Sequence, residues 1–392
     1  WAGYAFSKDY STPRGHMYAL QDIVHSLRTG APMGVADGPQ FASCWVCKSS
    51  DVPRMIEAIG VDSFYNNKWA AWGAEIVNPI GCADCHEPKN MDLHISRPSL
   101  TEAFSRQGRD ITYATPQEMR SLVCAQCHSE YYFKGNIKYP TFPWDKGFTV
   151  EDLEKYYDEI GFTDYIHKLS RAPILKAQHP DYEIFKMGIH AQRGVSCADC
   201  HMPYNDEGGI KYSDHHIQNP LAVTERTCQT CHRDNKETLC KNVYERQQKA
   251  NELRTLLEKE LAKAHIEAKF TWDIGATENE MQEALLLIRQ AQWRWDFGVS
   301  SHGGSFHAPQ ETMRILGHGL NKVFQARMLI SKVLVAHGYT DNVPLPDITT
   351  KEKAQQYIGL DMAVEKADKD KFLKEIVPEW LQKAKANGRI VN

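Results

Sequence analysis

The chain has 392 residues, 42% of them apolar and 24% charged, with a formal net charge of -4. That balance fits a soluble globular protein, offers no electrostatic case for a nucleic-acid partner, and leaves no run of ~18 apolar residues to span a membrane. The chain opens at Trp1 with no charged-then-apolar leader, so a mature or trimmed form is expected.

In chain order the sequence is punctuated by five Cys-x-x-Cys pairs, which use ten of its eleven cysteines. They are Cys44/Cys47 followed by Lys48, then Cys82/Cys85/His86, Cys124/Cys127/His128, Cys197/Cys200/His201 and Cys228/Cys231/His232. A chain of this length does not need a disulfide framework, and a zinc site gives no reason for histidine to follow the second cysteine four times. Cys-x-x-Cys-His is the attachment pattern of c-type haem: the thiols add to the vinyl groups, and the adjoining imidazole reaches the iron from the same turn. The pattern therefore predicts a multihaem c-type cytochrome carrying five covalently bound haem c groups. Because attachment works on translocated, reduced chains, an exported, periplasmic protein is expected. Cys240 is left over and reads as a buried free thiol.

Segments between the motifs, such as "NIKYPTFPWDKGF" and "HMPYNDEGGIKYSDHHIQNP", are rich in proline, glycine and aromatic residues. They predict loops and short helices wrapped on porphyrin, with the haems forming much of the core. The longest gap, His128 to Cys197, must hold something besides haem attachment. After Cys240, apolar residues at Ala250, Leu253, Leu257, Leu261, Ala264 and Ala268 recur at three and four, predicting an amphipathic helix over about 239–270. Two more are expected near 278–297 and 310–337. Their stripes suit either packing within the chain or a subunit interface. The predicted class is mainly α: a multihaem cytochrome c fold with a haem-binding region over 1–238 and a long-helix region over 239–392, together one compact unit.

Each Cys-x-x-Cys-His supplies one axial imidazole. Four of the 17 histidines are used that way, leaving 13 for the opposite faces. A bis-imidazole iron only passes electrons, whereas an open face can bind substrate. Lys48 is the exception. An amine ligates iron only when deprotonated, which at pH 7 requires about 4–5 kcal/mol for an ordinary lysine. Either Lys48 is a tuned ligand or it merely follows a pair whose proximal ligand lies elsewhere.

In this motif order the chain resembles the pentahaem cytochrome c nitrite reductases, ammonia-forming enzymes whose catalytic haem is held by Cys-x-x-Cys-Lys ahead of four Cys-x-x-Cys-His haems. The likeness runs from "RGHMYAL" at residue 14 to "FHAPQETMRILG" at residue 306. It implies six-electron reduction of nitrite to ammonium at the Lys48 haem, with electrons relayed through four bis-histidine haems. A quinol-oxidising membrane partner or a small cytochrome would supply the electrons, to a homodimer joined through the long helices.

The resemblance also implies roles for individual residues. Arg28 in "SLRTG", Tyr131 in "CHSEYYFKG" and His179 in "LKAQHPDYE" match the catalytic set, while Glu130, Tyr131, Lys176 and Gln178 match the ligands of one calcium ion. His16 is implied as the distal ligand opposite His128, His215 opposite His86, His190 opposite His232 and His307 opposite His201. His216 remains a rival to His215, and His302 a rival to His307. His25, His94, His167, His265, His318 and His337 receive no role.

These residue types also suit the chemistry on their own terms. Arg28 can hold a small anion through paired N–H donors, His179 can donate a hydrogen bond and relay protons, and Tyr131 adds a phenol donor. Glu130 and Gln178 offer the hard oxygens calcium prefers. Two other readings differ in class: a pure electron carrier with no open iron, and a multihaem oxidoreductase acting oxidatively on hydroxylamine. Lys48 argues against both.

Overall fold

The computed structural model describes residues 5–10 and 13–390. Each attachment motif lies on a tight turn, since a two-residue spacing turns both thiols to one side only when the backbone coils. Cys82–Asp84 and Cys228–Thr230 are 3₁₀ turns, Cys197–His201 is a short α-helix, and Cys124 lies near the end of the helix Pro116–Ala125. Histidine N–H groups close these turns on the first cysteine's carbonyl: His86 on Cys82 at 2.8 Å, His128 on Cys124 at 2.9 Å and His232 on Cys228 at 2.8 Å. Lys48 breaks the pattern. Its N–H donates to the carbonyl of Trp45 at 2.8 Å, a turn one residue tighter.

The long-helix region follows the sequence periodicity. The first helix, Lys236–Asp273, starts at an Asn235 cap whose side chain accepts from the Thr238 N–H at 2.9 Å. The second, Glu278–Ser300, opens with a capping box in which Thr277 and Glu280 bond reciprocally. The third, Pro309–Ala336, begins with proline at its first turn, where the missing N–H costs nothing. Leu257, Leu261 and Ala264 of the first pack with Ile288 and Ala291 of the second and Leu316, Val323 and Ile330 of the third. Each fully buried Leu or Ile of this seam contributes about 1.5–3 kcal/mol. Gly319 permits the close crossing, since a Cβ there would lie 2.7 Å from Leu257 Cδ2.

A fourth long helix, Met362–Ala386, lies outside the three expected from periodicity and carries Pro378 in its interior, a residue that ordinarily ends a helix. It returns to the first motif: Phe372 and Trp380 pack on Trp69, which stacks on Trp45 at 4.8 Å. Lys369 of the same helix donates to the Val24 carbonyl and Thr29 Oγ1, both at 3.1 Å, bracing the turn that carries Arg28. Among the described residues, strand content amounts to three two-stranded antiparallel hairpins.

Two histidines without a sequence role form a buried stack. The rings of His167 and His265 lie 3.7 Å apart, and His265 Nδ1 is 2.8 Å from Ser170 Oγ. Burial lowers both pKa values, that of His265 from 6.5 to about 3. Between these values the unfolded chain binds protons that the fold refuses, so stability falls as pH drops below about 6.5. Thermal unfolding at pH 5 and pH 7.5 is expected to show that loss and to show a smaller one for His265→Gln; equal losses in the two proteins would refute the assignment.

Candidate active site

The motif histidines do not stand alone. His16 faces His128 with ring centroids 6.0 Å apart, His215 faces His86 at 6.1 Å, His190 faces His232 at 6.2 Å, and His307 faces His201 at 6.3 Å. An iron bonded to two imidazole nitrogens at about 2 Å each holds the rings roughly 6 Å apart, so all four spacings fit one iron per pair. Unpaired packing of histidines would not repeat one separation four times. The rivals fall elsewhere: His302 lies edge-on to His179 at 4.9 Å, and His216 Nδ1 sits 2.8 Å from Asp214 Oδ1. Two glycines make room for His307, since a Cβ at Gly188 would lie 1.9 Å from its carbonyl oxygen and one at Gly303 would lie 2.3 Å from its Cε1.

The thiols fit the same group. None of the eleven cysteines is in a disulfide. Cys47 of the first pair lies beside Cys127 of the third, and Cys124 of the third beside Cys197 of the fourth. Cys200 of the fourth lies within electrostatic reach of Cys228 and Cys231 of the fifth, and Cys85 of the second within reach of Cys124. The order of adjacency is therefore first, third, fourth and fifth, with the second branching from the third. Arg97, fully buried, ties this cluster together: it donates to the Val46 carbonyl at 2.9 Å, the Ser49 carbonyl at 2.8 Å and Asp84 Oδ1 at 2.6 Å.

Residues 176–179 lie beside the third motif, held from several directions. The Lys176 N–H donates to Asp164 Oδ2 at 2.7 Å, the Ala177 N–H to Asp296 Oδ2 at 3.1 Å and the Gln178 N–H to Glu130 Oε2 at 2.6 Å. His179 Nε2 is 2.6 Å from His128 Nδ1, and its Nδ1 lies 3.4 Å from Asp181 Oδ2 and 3.3 Å from the Ser300 carbonyl. Burial is the main cause holding the His179 pKa below its ordinary value, opposed by Asp181 and assisted by His302 and Lys48. Lys48 also lies within electrostatic reach of His16 and His128, adding to the burial that lowers their pKa values.

Arg28 reaches the same loop through an aromatic spacer. Its guanidinium lies 4.7 Å from the Phe6 ring, and the Lys176 ammonium lies 5.3 Å from that ring. Gln40 fixes the Arg28 turn by donating to its carbonyl at 2.9 Å. Tyr131 packs against Phe133 at 5.6 Å and borders the buried cluster of Phe104, Trp144 and Tyr182. The sequence reading missed Phe6, Asp164, Asp181, Glu183 and Asp296. Asp181 and Glu183 lie within "LKAQHPDYE" itself, yet nothing in a sequence marks an acid as buried.

Glu130 and Glu183, both 0% exposed, adjoin each other, with Glu183 Oε1 accepting the Glu130 N–H at 2.8 Å. Burial pushes the Glu130 carboxyl well above its ordinary range and that of Glu183 to about 8. Glu183 Oε2 is buried without a hydrogen-bond partner. Adjoining desolvated carboxyl groups with an unmatched oxygen are what a hard cation would neutralise. The Glu130 carboxylate, the Gln178 side chain and the Lys176 carbonyl, 3.3 Å from Gln178 Nε2, fit calcium in donor type.

The cytochrome c552 family model matches residues 1–388. The chain belongs to the cytochrome c552 family. It is 76% identical over 390 residues to cytochrome c-552 of Bacteroides thetaiotaomicron, covering 100% of this chain and 79% of that one. Cytochrome c-552 of Porphyromonas gingivalis is 68% identical over 392 residues, with the same coverage. Among solved structures, cytochrome c nitrite reductase from Desulfovibrio desulfuricans, a catalytic subunit described with two calcium sites, superposes with a TM-score of 0.78. It is 31% identical, covering 93% of this chain and 77% of that one. The chain is thus an oxidoreductase of the cytochrome c nitrite reductase family, its architecture is mainly α as expected, and the family implies c-type haem.

Proposed function

We propose that this cytochrome reduces nitrite to ammonium, taking six electrons and eight protons per turnover at a haem ligated by Lys48. The observation that carries the reading is the set of four imidazole pairs at 6.0–6.3 Å beside a fifth motif that ends in lysine. Haem bound at these motifs supplies one-electron transfer and, where one axial face stays open, a seat for a small anion. Four closed relays and one open site account for five haem c groups.

The chain's own residues account for the rest. Arg28, always charged, holds nitrite by its N–H donors and offsets its charge. His179, neutral because buried, donates to a nitrite oxygen and passes on protons as N–O bonds break. Tyr131 adds a second O–H donor. Calcium bound by Glu130, Gln178 and the carbonyls of Tyr131 and Lys176 would fix the two segments that carry Tyr131 and His179. The adjacency of first, third, fourth and fifth motifs gives electrons a short route to the Lys48 site.

The proposed setting is the periplasm, with a quinol-oxidising membrane partner or a small cytochrome as donor. In keeping with an external donor, no helix among the described residues is long and apolar enough to cross a membrane. Homodimer formation through the long helices is supported by Tyr244, Leu256, Phe324 and Met328, which stay exposed on them. Electron paramagnetic resonance of the oxidised protein tests the assignment: one high-spin haem in five is expected, and five low-spin haems would make the chain an electron carrier.

A further inference from the structure

Lys176 poses a question that its proposed calcium role leaves open. A carbonyl ligand makes no demand on the side chain attached to it, yet this ammonium is drawn into the interior. Lys176 Nζ donates to Asp296 Oδ1 at 2.8 Å and Ser300 Oγ at 3.1 Å, and also to the Ala177 carbonyl. The Asp296 side chain is 5% exposed and that of Lys176 13%. Both acceptor side chains come from the last turns of the helix Glu278–Ser300, more than 100 residues away in sequence.

Asp296 holds the segment twice. One carboxylate oxygen takes the Lys176 ammonium, and the other accepts the Ala177 N–H at 3.1 Å. With Asp164 on the Lys176 N–H and Glu130 on the Gln178 N–H, three consecutive amides end on three buried or half-buried carboxylates from three parts of the chain. The same helix end offers the Ser300 carbonyl to His179 Nδ1 at 3.3 Å. Four consecutive residues are therefore registered against one rigid helix terminus and two acids, which is how a site keeps a reacting group in place without touching the substrate.

We infer that Asp296 is a positioning residue for His179, fixing Lys176 and Ala177 so that Gln178 meets the cation and His179 meets the substrate. The kinetic part of this inference rests on the nitrite-reducing reading; the structural part does not. A carboxylate paired with a buried ammonium resists displacement, because separating them leaves two desolvated charges.

Asp296→Asn keeps the shape, and its amide oxygen can still accept the Ala177 N–H, but the charge opposite Lys176 is gone. In the haem-loaded protein kcat is expected to fall about tenfold or more with KM within about twofold, since misplacing a catalytic group acts on the transition state. Amide hydrogen exchange in a peptide spanning 176–178 is expected to quicken by about tenfold or more, with exchange in the Glu278–Ser300 helix and haem content unchanged. A wild-type kcat, or unaltered exchange at 176–178, overturns the inference.

Should Asp296→Asn fail to accumulate, Lys176→Met removes the ammonium and keeps the carbonyl. The same two changes are expected from it, and their absence overturns the inference. Where both single variants fold, their combination is expected to lose no more than the worse of the two, whereas additive losses would place Asp296 and Lys176 in separate roles. If wild-type protein makes no ammonium, the nitrite reading fails, and the exchange measurement still decides the role of Asp296.

Discussion

His179→Ala is expected to lower nitrite turnover by about 10²–10⁴-fold, the range over which a positioned general acid contributes. The ring is held by contacts on both nitrogens, to His128 on one side and to Asp181 and Ser300 on the other. Burial holds its pKa below the ordinary histidine value, which favours the neutral ring. Alanine removes the donor and the relay together, while His179→Asn keeps a donor and loses the relay, so asparagine is expected to recover part of nitrite binding and little of kcat. The low-spin signals of the four histidine-paired haems should persist in both variants. Ammonium formation by His179→Ala within twofold of wild type would remove His179 from the mechanism.

The largest effect on stability is expected from Arg97→Met, which should cost about 3–5 kcal/mol, as losing one partner of a buried ion pair does. Asp84, 3% exposed, would keep its charge without the 2.6 Å bond to the guanidinium. The carbonyls of Val46 and Ser49, beside the first attachment motif, would also lose their donor. Combining Arg97→Met with Asp84→Leu removes the stranded charge and is expected to restore part of the loss. Full recovery is not expected, since each orphaned carbonyl still costs about 1–3 kcal/mol. Denaturant unfolding of the haem-loaded variants measures this; an Arg97→Met midpoint equal to wild type would show that the first two motifs are held by other means.

These two residues mark the boundary of what the sequence discloses. Attachment motifs are local, so five turns and ten thiols could be read directly, as could the three helices whose apolar residues keep a steady period. Pairing is not local. His16 and His128 stand 112 positions apart, and only the likeness to a known family matched them. The resemblance supplied the residues proposed to act on substrate or metal and was silent on those that hold them. Arg97, Asp296 and Glu183 look like ordinary surface charges in the sequence, and their importance arises from burial that the fold imposes. The helix Met362–Ala386 was hidden differently: Phe372, Ile376 and Trp380 recur at helical spacing, but Pro378 stands among them and reads as a break, and the contact of Phe372 and Trp380 with Trp69 shows that this segment closes over the first motif.

The electrostatics follow the same division. The resemblance implied a cationic, proton-donating set of Arg28, His179 and Tyr131, whose residue types suit that chemistry. They did not predict that Glu130 and Glu183 would adjoin in a fully buried site, where desolvation raises both carboxyl pKa values. That juxtaposition ties the proposed calcium ion to folding of the site as well as to its charge.

The central claim is that electrons gathered by this chain leave it in ammonium. The measurement that tests it most directly is ammonium formed from nitrite by the purified haem-loaded protein, with reduced viologen as donor and the viologen consumed counted alongside. Six reduced viologens oxidised per nitrite, with one ammonium released for each, is the predicted result. Nitrite left unconsumed, or nitrite lost without ammonium appearing, would contradict the account.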